Sequence, residues 1–123
     1  MNRSREILII EPITTNEQFS EVLDAAKSDN DSANMATHAV IKNGVPIGAF
    51  CVDSPTVYWW MHSKDSNVLD SMQAMASLEA LARQKGHKAL VFPVEKASPY
   101  HKVMNKWGYS ESPGDWSIFT KVL

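Results

Sequence analysis

Residues 56–86, TVYWWMHSKDSNVLDSMQAMASLEALARQKG, constrain the fold more than any other stretch. Residues 57–61 are apolar and aromatic and read as a buried strand. A short polar break follows, and then one long helix. Either Asp65 or Ser66 can cap that helix. Val68, Leu69, Met72, Met75, Ala76 and Ala82 line one broad face at about 100° per residue, and Glu79 and Arg83 fall inside the same arc. Gly86 is the expected stop, with Arg83 and Lys85 near the negative end of the dipole. Residues 89–93 (ALVFP) are a second apolar run. A strand, a helix and a strand in succession predict a right-handed crossover and a parallel pair. In an open α/β sheet the handover from strand to helix is where ligands bind.

The flanks fit around this unit. Residues 7–10 read as a short first strand closed by Glu11-Pro12. Thr14 with Glu17, or Thr15 with Gln18, makes a capping box for a helix with Phe19, Val22, Leu23 and Ala26 on one face, ending near Lys27. Residues 28–36 (SDNDSANMA) are turn formers and read as a loop. Residues 37–42 and 45–53 are strand-like and joined by Asn43-Gly44, which suits a type I′ turn. After residues 89–93, Ser98 can cap a helix with Pro99 at its first position. Tyr100, Val103, Met104 and Trp107 give that helix its apolar side, and Gly108 stops it. Residues 109–112, the turn Pro113-Gly114-Asp115 and residues 116–122 make a closing hairpin. The order is β α β β β α β α β β.

Composition removes several function classes. A chain of 123 residues fits one domain over 1–123. A net charge of −2 gives no electrostatic case for nucleic acid or an anionic membrane. No apolar stretch approaches a membrane span or a signal-peptide core. The single cysteine, Cys51, excludes an internal disulfide and suits a reducing compartment, so a cytoplasmic location is expected. No histidine pair has metal-ligand spacing, and no metal is expected.

The stretches 86–94 (GHKALVFPV) and 100–109 (YHKVMNKWGY) resemble the GNAT (GCN5-related N-acetyltransferase) superfamily. Its members commonly read as helix, glycine, a strand of four or five apolar residues, then a helix ending in lysine, one apolar residue and Gly-aromatic. Lys106-Trp107-Gly108-Tyr109 fits that ending, and the resemblance covers nearly the whole chain. Short GNAT-like proteins of tailed phages share the aromatic central strand and a polar break without glycines. The resemblance implies an acyl-CoA N-acyltransferase-like α/β (α+β) fold. Its mixed central sheet has about six or seven strands, and residues 57–61 and 89–93 form a splayed parallel pair. It implies acetyl-CoA as cofactor, an amine on a small molecule or protein as acceptor, and admits a homodimer. The cofactor would lie along Trp60, Met61, His62, Ser63, Ser66 and Asn67. The amine would attack the thioester directly, and a tyrosine would protonate the departing thiolate.

Three departures bear on activity. The glycines are Gly44, Gly48, Gly86, Gly108 and Gly114, so the break 62–69 has none where phosphate must approach the main chain. Ser63, Ser66 and Lys64 favour an anion there and Asp65 opposes it. The family's usual tyrosine falls at Met104, which has no proton to give, and its usual asparagine falls at Ala97. Two residues are candidates for the missing chemistry. His62, at the strand end, reads as a base facing the acceptor or as a solvated loop histidine. Tyr100, one turn before Met104, reads as a substitute acid or as a core tyrosine. Glu79 reads as a buried base or as the rim of the stripe, paired with Arg83 at i, i+4. Tyr58, Trp59 and Trp60 read as a pocket wall or as packing. Two functions remain open: an acetyltransferase, and a GNAT-like binding or assembly protein that has lost the pyrophosphate loop.

Overall fold

Thr15 does close the first helix as a capping box: its hydroxyl accepts the Gln18 amide at 3.1 Å, and the Gln18 carboxamide oxygen accepts the Thr15 amide at 3.0 Å. A computed structural model describes residues 7–94, 98–112 and 117–123. Its elements are β1 (Leu8–Pro12), α1 (Asn16–Lys27), β2 (His38–Lys42), β3 (Val45–Phe50), β4 (Trp59–Met61), α2 (Val68–Gln84), β5 (Ala89–Val94), a 3₁₀ helix (Pro99–Lys102), β6 (Ser110–Ser112) and β7 (Ser117–Val122). The predicted order of elements is therefore present, with a 3₁₀ helix and hydrogen-bonded turns in place of the last α-helix. Ala97, the turn Pro113-Gly114-Asp115 and Trp116 lie outside the described residues. The chain divides into two units, one of residues up to 51 with 58–78, the other of 52–57 with 79–123.

The first unit is an antiparallel sheet in the order β1-β2-β3-β4. Asn43 and Gly44 turn β2 into β3 with φ of 52° and 82°, the left-handed values that Asn-Gly tolerates. Val22 and Ala26 of α1 pack with Ala33, Ala39, Ala49 and Trp60. The alanines let helix and sheet backbones approach, and Trp60 fills the far side. Gly48 is fixed by a close approach. A Cβ there would overlap Met61 Sδ and lie 2.7 Å from the Trp60 carbonyl oxygen. Since that oxygen belongs to β4 backbone, Gly48→Ala is expected to cost about 2–3 kcal/mol by urea denaturation; an unchanged midpoint would contradict the packing.

The second unit is an antiparallel sheet in the order β5-β7-β6. Leu90, Phe92, Met104, Tyr109 and Phe119 form its buried interior, with the Phe92 and Tyr109 rings edge to face at 5.3 Å. Ser98 caps the 3₁₀ helix by accepting the Tyr100 amide at 3.2 Å. Gly86 and Gly108 end their helical segments at φ 87° and 88°.

Four expectations need correction. The single mixed sheet is two antiparallel sheets, and among the described residues parallel pairing is one isolated bridge, Thr56 to Val91. There the Val57 amide donates to Val91 O at 2.9 Å and the Val91 amide to Pro55 O at 2.7 Å. Beyond the bridge β3 pairs with β4 and β7 with β5, and those antiparallel ladders take the backbone groups. The cap of α2 is Asn67, not Asp65 or Ser66: Asp70 N donates to Asn67 Oδ1 at 2.9 Å and Asn67 N to Asp70 Oδ2 at 3.0 Å. The buried face of α2 is rotated from the predicted one. Met75, Glu79 and Ala82 are buried as expected, but Val68, Leu69 and Met72 are 66%, 61% and 49% exposed, and Ser71, Ala74 and Leu78 are buried instead. Glu79, finally, takes partners other than Arg83. Tyr109 Oη donates to its Oε2 at 3.0 Å, and Lys121 Nζ lies 3.0 Å from its Oε1.

Candidate functional site at the junction of β4 and α2

Side chains alternate along a strand, so Tyr58, Trp60 and His62 share one face. Each meets the loop that follows α1. Tyr58 Oη donates to Asp31 Oδ1 at 2.5 Å, and Trp60 Nε1 donates to Asp29 Oδ2 at 2.9 Å. His62 Nε2 lies 2.9 Å from Ser28 Oγ. Ser63 adds its amide and its hydroxyl to the Asp29 carboxylate. The loop can present these groups because its start is a tight turn. Asp29 N and Asp31 N both donate to Ala26 O at 3.0 Å, and Asn30 takes φ 57°, a left-handed value asparagine adopts readily.

His62 holds the break itself. Its backbone amide donates to Ile47 O at 2.6 Å. Its Nδ1 accepts the amides of Lys64 at 3.1 Å and Asp65 at 3.2 Å. An acceptor of two N–H groups carries no proton, so the proton is on Nε2 and is donated to Ser28 Oγ. Ser28 Oγ donates in turn to Ala25 O at 2.8 Å. The carbonyl of His62 accepts the Ser66 amide at 3.3 Å. Asp70 accepts both the Asn67 amide and, at 2.8 Å, Lys42 Nζ.

The amides of Ser63, Lys64, Asp65, Ser66 and Asn67 are thus all bonded within the junction, to Asp29, His62 and Asp70. Two of those partners are carboxylates. Burial pushes the Asp29 carboxyl up, but hydrogen bonds from the Ser63 hydroxyl, Trp60 and the Ser63 amide, with the nearby His62, outweigh it and hold it below 3.8. A pyrophosphate would have to compete with these groups for the same amides. The arrangement as it stands does not fit one.

Trp60 and Met61 are buried, His62 is 12% exposed at its side chain, Ser66 is half-buried, and Ser63 and Asn67 are exposed. These six lie together in the first unit. Tyr100 belongs to the second unit, half-buried, with its ring 6.2 Å from that of Trp107. Met104 is 1% exposed and fills core. Sequence reasoning missed Ser28, Asp29, Asp31 and Asp70 as junction residues. The signal for the first three was a run of turn formers whose partners lie about thirty positions away, whereas Asp70 stands three residues after its partner Asn67, the spacing of a cap.

The second unit also brings His101, Glu111 and Ser117 together. Both partners approach the same nitrogen, Nε2, at 3.1 Å and 3.0 Å. A catalytic relay needs one partner on each ring nitrogen, so this grouping braces β6 and β7. Among the described residues no cluster of three or more His, Cys, Asp or Glu could hold a metal ion, and no helix is long and apolar enough to cross a membrane.

No protein-family model matches the chain, and no curated protein matches it in sequence. Solved structures do match in fold. A GNAT family acetyltransferase from Elizabethkingia anophelis with acetyl-CoA bound aligns at TM-score 0.68 and 15% identity, over 94% of this chain and 98% of that one. A GCN5-related N-acetyltransferase from Rhodopseudomonas palustris aligns at 0.65 and 18%, over 100% and 99%. The PaiA N-acetyltransferase of Thermoplasma acidophilum in complex with coenzyme A aligns at 0.57 and 10%, over 87% and 70%.

Proposed function

We propose that this chain, which has the fold of the GNAT acetyltransferases, is an acyl-CoA-dependent acyltransferase that acts on an amine, with residues 1–123 working as one domain. The observation that carries the reading is the extent of the likeness, which spans almost the full length of this chain and of a neighbour holding acetyl-CoA. Fold alone is an analogy to function, so the reading needs the chemistry of the site. The acceptor would be a small-molecule or protein amine in its neutral form. Trp60, Met61, His62, Ser63, Ser66 and Asn67 would face acetyl-CoA. Tyr100 is the candidate donor of the proton to the departing thiolate. His62 is poorly placed as a base, because Nδ1 is engaged by two amides and Nε2 carries the proton.

One observation favours a second reading. The junction amides are occupied by the chain's own side chains, which supports a GNAT-fold protein that binds or assembles without turnover. Calorimetric titration with acetyl-CoA separates the two. The first reading expects saturable binding well below ~1 mM and thiol release with some member of an amine panel. It also expects that rate to fall in Tyr100→Phe. Absence of heat at ~1 mM acetyl-CoA would overturn it and leave the second.

A further inference from the structure

We infer that His62 is a proton-operated latch on the junction between β4 and α2. The geometry depends on one lone pair. Nδ1 accepts Lys64 N at 3.1 Å and Asp65 N at 3.2 Å, and both bonds require that Nδ1 be unprotonated. Histidine is the side chain whose charge ordinarily changes between pH 5 and 8. A proton added at Nδ1 turns the acceptor into a donor that faces two N–H groups. The arrangement is then repulsive and the two amides are released.

The protonated ring has somewhere to go. Asp65 Oδ2 already lies 3.8 Å from Nδ1. Two charged groups face the ring: Asp65 on its own turn, and Asp29 from the loop after α1, whose carboxylate senses the His62 charge. The neighbouring strand β3 contributes the Ile47 carbonyl, bonded to the backbone amide of His62. Asp29 keeps its hold on Ser63 and Trp60 in either state, because it uses neither ring nitrogen. Opening is therefore confined to the turn at Lys64 and Asp65, where it frees two amides and adds one positive charge beside them. If the acyltransferase reading holds, and this consequence rests on it, the open form is the one that accepts an anionic cofactor, and affinity for acetyl-CoA increases as pH falls.

Nitrogen-15 NMR and amide exchange test the latch directly. At pH 8 the His62 signals should report the Nε2–H tautomer. On acidification to pH 5.5 the protection factors of Lys64 and Asp65 should fall ~10-fold or more, while Asn67, held by Asp70, keeps its own. His62→Asn offers an amide oxygen in place of Nδ1 and should protect both amides at either pH. An Nδ1–H tautomer at pH 8, equal protection at the two pH values, or the same pH response in His62→Asn would each overturn the latch. Acetyl-CoA titrations at both pH values test the consequence separately. Tighter binding at pH 5.5 in the wild type but not in His62→Asn supports it, and equal affinity overturns it. Failure to bind at either pH removes the acyltransferase reading, and the exchange data then decide the latch alone.

Discussion

Replacing Glu79 with alanine is expected to destabilise the protein by about 3–4 kcal/mol, measured as a drop in the urea midpoint. Glu79 is 8% exposed. It is the acceptor for both Tyr109 Oη and Lys121 Nζ. Without it a buried phenol and an ammonium group lose this carboxylate together. Lys121 also donates to Trp107 O at 2.9 Å, so the loss reaches the chain just before Gly108. Lys121 is about a quarter exposed at its side chain, which limits the cost to the lower part of the range for a broken buried pair. The test has a built-in control. Exchanging all three polar groups for apolar ones, as Glu79→Leu with Tyr109→Phe and Lys121→Met, should recover most of the stability. If Glu79→Ala alone is neutral, the ion pair contributes nothing to the fold.

The second large effect is expected at Asp29. Asp29→Ala removes the acceptor for Trp60 Nε1 and for the amide and hydroxyl of Ser63. Trp60 is 4% exposed, so its N–H has little water to turn to. A loss of about 2–4 kcal/mol should follow. The pH dependence has a definite sign. The folded-state pKa of Asp29 lies below 3.8, so the carboxylate stabilises the fold above the unfolded value. That stability is lost as pH falls below 3.8 through the depressed folded value. Asp29→Asn should therefore show a shallower decline in stability on the acid side than the wild type. An identical acid limb would show that Asp29 is not held as an anion.

Local signals were legible because their chemistry is local. The Thr15–Gln18 box, the Asn43-Gly44 turn and the glycines at 86 and 108 all appear where the sequence puts them. Each depends only on backbone geometry within four residues. The buried face of α2 was misread for a physical reason. The large apolar residues Val68, Leu69 and Met72 suggest the core, but they are exposed, and Ser71, Ala74 and Leu78 are buried with Met75 and Ala82. Asp70 is buried too, because it caps its own helix and pairs with Lys42. Hydrophobicity scales do not register such polar partners, which bury this side of the first turn.

The order of strands and helices, the break after the aromatic strand and the likeness to one superfamily were determined by the sequence itself, since they follow from periodicity, turn formers and short motifs. Only the tertiary structure decided what fills that break. Its amides bond to Asp29, His62 and Asp70, and its strand is tied through Tyr58, Trp60 and His62 to Asp31, Asp29 and Ser28. The links to Asp31, Asp29 and Ser28 join residues about thirty positions apart, whereas those of His62 to Lys64 and Asp65 and of Asp70 to Asn67 stay within three residues. No local preference specifies the distant links. They form because buried N–H and O–H groups must find acceptors wherever the folded chain brings them.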